Sequence, residues 1–226
     1  MIMWNRIRRI FAWFRGKTDA RILYDCVRSY ASISSTTICM LHLAENRTPC
    51  LQSRYYCGAE SKVSVLNFDK IKDMYCHKNR LQSLPSVDAV SYKNSRFLFI
   101  EIKSWQNFER FQISGVDAPT DIAKKIKDKA AGFKLKSKIE KSIEICSQIA
   151  NDKKLFGKIP VTYVLVTDVD TVEDPMMRFK SRLRILSYKS VYIPLYNKEV
   201  KNQIATIGMD VRYVFCRSFD QFYKKL

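Results

Sequence analysis

Glycine is scarce in this chain: there are six in 226 residues, with six prolines and two histidines. No Walker-type motif occurs. Without a glycine-rich turn there is no loop of backbone N–H groups to cradle nucleotide phosphates, which excludes a nucleotide-driven motor. The two histidines, His42 and His77, sit in helical patterns without a nucleophile elbow. A hydrolase built on a Ser-His-Asp or Cys-His relay therefore has no support. Apolar runs are short too. The best, Thr36 to Ala44, is less than half of the ~20 residues needed to cross a bilayer. Arg6, Arg8, Arg9 and Arg15 interrupt the apolar residues near the start, so no secretory signal is expected. Acids are also outnumbered, 22 against 40 lysines and arginines, leaving a formal charge of +18. Such an excess predicts a polyanionic partner, either nucleic acid or an anionic membrane surface. The seven cysteines are odd in number and irregularly spaced, as expected of reduced thiols in a cytoplasmic protein. Cys50, Cys57, Cys76 and His77 fit no compact zinc-finger spacing, and the adjacent Cys76 and His77 would point apart on a helix.

What is present points to a packed domain. Hydrophobic residues make up 46% of the chain, enough for a sizeable core. The pattern predicts an N-terminal helical region, 1–62, packed on an α/β core, 63–226. Trp4, Ile7, Phe11 and Phe14 form one helical stripe within residues 3–15, read as a helix docked on the domain. Ile22, Leu23, Cys26, Val27 and Tyr30 continue a helical pattern over 19–45 that breaks near Ser32 to Ser35, and 46–62 is turn-rich. Asn67 is placed to cap a helix from Phe68 to His77. Thr120 opens a long helical region, 121–151, with Gly132 as a kink. Ile159 to Asp168 reads as a buried strand, 176–186 as a helix, Ser190 to Leu195 and Val211 to Cys216 as late strands, and Asp220 to Leu226 as a closing helix. There is no internal repeat and no low-complexity linker.

Two segments carry the chemistry. Ser86 to Tyr92 and Phe97 to Trp105 read as strands joined by the polar turn Lys93-Asn94-Ser95-Arg96. A hairpin here sets Tyr92 opposite Phe97, Val90 opposite Phe99 and Asp88 opposite Glu101, and a two-residue turn at Asn94-Ser95 keeps that register. Alternation places Asp88, Val90, Tyr92, Phe97, Phe99, Glu101, Lys103 and Trp105 on one face. Val87, Ala89, Ser91, Leu98, Ile100 and Ile102 take the other. Both faces are largely apolar, so the pair belongs inside a sheet covered on both sides. Opposed carboxylates with Cβ atoms about 5 Å apart repel, and burying them alone costs on the order of several kcal/mol. A hard divalent cation, Mg²⁺ or Mn²⁺, would offset that cost. Lys103, two residues beyond Glu101, could hold a water nucleophile or neutralise a phosphate. The plainer alternative is a salt bridge among Asp88, Glu101 and Lys103 at a strand end.

These residues resemble the PD-(D/E)xK nuclease superfamily, in which an acid on one strand and an acid-x-lysine triplet on the next form the site. The resemblance implies Asp88 as first acid, Glu101 as second and Lys103 as the lysine, with Asp88, Glu101 and the Ile102 carbonyl as ligands of Mg²⁺ or Mn²⁺. It also implies a restriction endonuclease-like fold, a mixed central sheet flanked by helices in an α-β-β-α-β order. One departure is visible: Pro85 stands three positions before Asp88 rather than next to it. The triplet recurs at Glu60-Ser61-Lys62 and Asp152-Lys153-Lys154, which read as a loop and a helix end. The Glu101 copy differs in its buried strand, its opposed Asp88 and the basic helix that follows.

That helix carries Lys124, Lys125, Lys127, Lys129, Lys134 and Lys136, candidate contacts to nucleic-acid phosphates, and continues to Lys138 and Lys141. Asp128, Glu140 and Glu144 partly balance it, so a solvated face is the alternative. Glu45, Glu60, Asp69 and Asp73 are candidates for a further acid, and Asp168-Val169-Asp170 reads as an acidic turn. The expectation is a metal-dependent nuclease acting on phosphodiester bonds, with DNA the favoured substrate, in a setting such as phage defence or restriction. A non-catalytic basic nucleic-acid-binding or assembly module with the same fold is the alternative. A protein partner or homodimer is compatible with either, and a membrane-surface protein held by residues 3–15 is a third reading.

Overall fold

The structure is a computed structural model, which describes residues 19–45, 47–53, 58–108, 112, 119–169 and 192–226. The helices expected at 3–15 and 176–186 lie outside the described residues, as do Cys57 and Asp170. In chain order the elements are α1 (Asp19–Tyr30), α2 (Ile38–Leu41), β1 (Leu43–Glu45), β2 (Thr48–Pro49), β3 (Leu66–Asn67), α3 (Phe68–Asn79), β4 (Ala89–Lys93), β5 (Arg96–Lys103), α4 (Trp105–Phe108), α5 (Pro119–Ala131), α6 (Leu135–Ala150), β6 (Val161–Thr167), α7 (Ile193–Ala205), β7 (Val211–Phe215) and α8 (Phe219–Lys225).

A mixed five-stranded sheet, ordered β3-β4-β5-β6-β7, organises them. β3, β4 and β5 run antiparallel, and β5, β6 and β7 run parallel. A parallel step needs a crossover, and α5 with α6 supplies the one from β5 to β6. Both faces of the sheet are buried. Val90, Phe97, Phe99, Tyr163 and Leu165 pack with Leu23 and Val27 of α1, Ile71 of α3, Ile126 of α5, Ile139 of α6 and Tyr196 of α7. Ala89, Leu98, Ile100 and Val164 pack on the other side with Ile38, Val65 and Phe219.

The hairpin register follows the sequence reading: Tyr92 pairs with Phe97 and Val90 with Phe99. Asn94 and Ser95 both take positive φ, 44° and 65°, the two-residue turn whose twist suits a hairpin. Asn67 caps α3 as expected, its Oδ1 accepting from the Lys70 N–H at 3.1 Å.

Several expectations change. Trp105 opens α4 instead of ending the strand, and β1 falls inside the helical pattern read over 19–45. The region 121–151 is two helices, not one kinked helix. Gly132 to Lys134 separates them, with Lys134 at φ 50°, and the break lets both Phe133 and Leu135 reach the core. Residues 192–195 open a helix rather than a strand. Pro194 lies in the first turn of α7, where its missing N–H costs no hydrogen bond, and Tyr196 and Val200, four apart, bury one face. Val87 joins the cluster of Val90 and Phe99 instead of that of Ala89, because a bend at Asp88 resets the alternation.

Candidate active site

The site forms where β4 ends and β5 continues. The ladder runs only to Ala89–Ile100, one step short of Asp88. The Asp88 N–H donates to the Ile100 carbonyl at 3.1 Å, and its carbonyl accepts from the Phe68 N–H at 2.9 Å. With the β4 ladder ended on that side, the Ile102 N–H donates to Asp88 Oδ2 at 2.5 Å, while Ile102 still pairs with Val166 of β6. A side chain thus replaces the missing rung, which satisfies a backbone donor and fixes the carboxylate at the strand edge. Asp88 Oδ1 takes no hydrogen bond from the described residues.

Glu101 is fully buried, at 0% exposure. Its Oε1 accepts from Lys103 Nζ, and from Lys138 Nζ of α6 at 2.6 Å. Its Oε2 is buried with no hydrogen-bond partner among the described residues. Burial first, then the charge of Asp88, pushes the Glu101 carboxyl up to about 7, against the pull of Lys103 and Lys138. Burial works to lower the Lys103 ammonium, but the Glu101 and Asp88 carboxylates outweigh it and raise it. The two directions compete, since Lys103 gains from Glu101 only while Glu101 is ionised. The two ammonium groups on one carboxylate oxygen oppose the rise of Glu101 without cancelling it, and the cluster titrates as a unit.

Above this floor lies a cleft of roughly 430 Å³ whose lining includes Asp88, Ile102, Lys103, Ser104, Lys129 and Lys138. It meets a second hollow lined by Lys125, Asp128, Lys129 and Phe133. Lys129 has no ion-pair partner among the described residues. Burial, then the charge of Lys103, lowers its ammonium, and its Nζ stands 5.8 Å from the Phe108 ring centroid. Of the six expected phosphate contacts, Lys129 lines the main cleft and Lys125 the hollow beside it, where Lys125 Nζ donates to the Gln112 carbonyl at 2.9 Å. Lys124, Lys127, Lys134 and Lys136 are exposed and line neither.

The sequence reading missed three contributors. Lys138 was hidden among its neighbouring lysines. Ser142 interrupts the apolar stripe of Ile139, Cys146 and Ile149, which was the available signal. Its Oγ accepts from the Val87 N–H at 3.0 Å and donates to the Lys138 carbonyl at 2.8 Å, tying α6 to the entry of β4. Asp168, read as part of a turn, is buried. It accepts from Ser104 Oγ at 2.6 Å and the Trp105 N–H at 2.7 Å, so it anchors the chain just past Lys103. His42 Nε2 lies 3.7 Å from Asp168 Oδ2, and His42 lines the cleft. Of the proposed extra acids, Glu60, Asp69 and Asp73 do not line the cleft, and Asp69 instead accepts from Ser86 Oγ at 2.9 Å. The Glu45 side chain lies outside the described residues. His77 is exposed on α3 away from the cleft.

Among the described residues no three His, Cys, Asp or Glu side chains cluster as metal ligands. A cation here would rest on two carboxylates, a carbonyl and waters, the oxygen donors that Mg²⁺ prefers. The residues fit that role. Glu101 Oε2 is an orphaned buried acceptor, and Asp88 Oδ1 has no donor among the described residues. The Lys103 ammonium already lies against Glu101 Oε1 and 3.4 Å from the Ile102 carbonyl, so a positive charge touches two of the expected ligand groups. Comparison with protein-family models, curated proteins and solved structures finds no match to this chain.

Proposed function

We propose that this protein is a metal-dependent nuclease with a restriction endonuclease-like core, acting on the phosphodiester bonds of nucleic acid, with DNA the favoured substrate. The observation that carries this reading is Glu101: a fully buried carboxylate beside a second one, with an orphaned oxygen, under a cleft rimmed by ammonium groups. The antiparallel β4–β5 pair, the helical crossover and the parallel β6 also agree with the element order of the superfamily.

Asp88, Glu101 and the Ile102 carbonyl would hold Mg²⁺ or Mn²⁺. Bound there, the cation would stabilise charge developing on phosphate oxygens and favour ionisation of water. Lys103 orients the attacking water and offers its charge to the phosphate. Lys129, without a carboxylate of its own among the described residues, meets a neighbouring phosphate, and the flanking hollow lets the strand continue past Lys125. Asp168 positions the segment after Lys103 through Ser104 and Trp105. Phage defence or restriction is a fitting setting.

The test is incubation of DNA and RNA with Mg²⁺ or Mn²⁺, comparing the wild type with Asp88→Ala and Lys103→Ala. Cleavage by the wild type, lost in both variants, is the expected result; cleavage untouched by both substitutions refutes the site. One observation favours a second reading. Lys103 and Lys138 already neutralise Glu101, as in a structural ion pair. A non-catalytic nucleic-acid-binding module would then bind in a salt-dependent way and cleave nothing.

A further inference from the structure

The charges beneath the cleft balance without a cation: Asp88 and Glu101 against Lys103 and Lys138. The two lysines are held differently. Lys103 projects from β5 itself, with 17% of its side chain exposed, and packs 5.3 Å from the Phe133 ring centroid. It touches both Glu101 and the Ile102 carbonyl. Lys138 comes from α6, donates to Glu101 Oε1 at 2.6 Å and lies beside the Lys103 ammonium. Its side chain is 23% exposed, and it lines the cleft. The backbone under it is fixed, because its carbonyl accepts from Ser142 Oγ, which also takes the Val87 N–H. The helix therefore stays in place while the long, flexible stem lets the ammonium leave the carboxylate for the open cleft at little desolvation cost.

We propose that Lys138 is the resident counter-ion of Glu101 and that a divalent cation competes with its ammonium for that carboxylate. The proposal rests on the metal site described under the proposed function. It adds that α6 carries a built-in antagonist of metal binding, which on displacement faces the cleft that would receive a phosphate. A positive charge within a few ångströms of a dication opposes its binding even when partly screened. Removing that charge therefore tightens the site.

The experiment is a Mn²⁺ titration of the full chain, followed by the EPR signal of free Mn²⁺, for the wild type, Lys138→Met, Lys138→Arg and Glu101→Gln. Lys138→Met is expected to bind about tenfold tighter or more. Lys138→Arg, which keeps the charge, stays within about threefold of wild type, and Glu101→Gln loses the site. Lys138→Gln replaces Lys138→Met if the latter does not fold. Uptake by Lys138→Met with none by the wild type also supports the proposal, as competition at its limit. Unchanged or weaker binding in Lys138→Met, with binding still lost in Glu101→Gln, overturns the proposal and leaves the metal site standing. No uptake by either wild type or Lys138→Met overturns both.

Discussion

Replacing Glu101 by glutamine should change how the stability of the protein depends on pH. The side chain keeps its shape and loses its charge. In the fold the Glu101 carboxyl titrates at about 7 instead of 4.5. A raised value means that the fold favours the neutral acid. The resulting contribution is complete below 4.5 and is lost as pH rises through about 7. At about 1.4 kcal/mol per pH unit the wild type loses on the order of 3 kcal/mol across this window. The amide of the variant has nothing to titrate. It would leave Lys103 and Lys138 without their counter-ion, which lowers the variant's stability. Nothing at position 101 of the variant changes protonation, however, so that penalty is taken as constant across the window. The difference between variant and wild type should therefore shift by about 3 kcal/mol in favour of the variant between about pH 4.5 and 8, or about 6–12 °C in Tm for a chain of this size. Urea denaturation at several pH values, without divalent cations, measures it. Parallel profiles, with a difference constant to about 0.5 kcal/mol, would show that the two ammonium groups hold Glu101 ionised at an ordinary acid value and would refute the reasoning. Added Mg²⁺ should flatten the wild-type slope, because a bound cation favours the ionised form.

Two further outcomes follow from the contacts around this carboxylate. Ser142→Ala strands the buried Val87 N–H and should cost about 1–3 kcal/mol, read by urea denaturation at one pH; unchanged stability would mean that the tie between α6 and β4 contributes nothing. Lys129→Ala should weaken nucleic-acid binding alike for all sequences and reduce the slope of log affinity against log salt by about 0.7–0.9. Fluorescence anisotropy at several salt concentrations reads this, with Lys124→Ala, exposed off the cleft wall, expected to leave the slope unchanged.

Much of the hairpin was legible because strand alternation and turn chemistry are local. Tyr92–Phe97 and Val90–Phe99 follow from the spacing of apolar residues about Asn94-Ser95. The burial of Glu101 was legible too, since apolar residues flank it along the strand. The Asn67 cap and α3 needed only a side-chain acceptor three residues before a backbone donor. Local signals failed where local preferences were balanced. Ser190 to Leu195 reads as a strand, yet Ile193 opens a helix, because packing of Tyr196 and Val200 decided for it. Alternation likewise assigned Val87 to the wrong face, because it takes no account of a bend.

The sequence by itself determined that two acids and a lysine stand at the end of a buried hairpin in a strongly basic chain. Residue type, period and turn length suffice for that. Only the tertiary structure decided which of many lysines answers Glu101. Lys138 is 37 residues away, and nothing in its own neighbourhood separates it from Lys134, Lys136 or Lys141. The path of α6 across the sheet, held by Ser142 against Val87, delivers it. The same holds for Asp168, whose carboxylate reaches Ser104 and Trp105 from the end of a parallel strand. A charge buried on a strand announces itself locally, but its partners come from chain segments that only folding brings together.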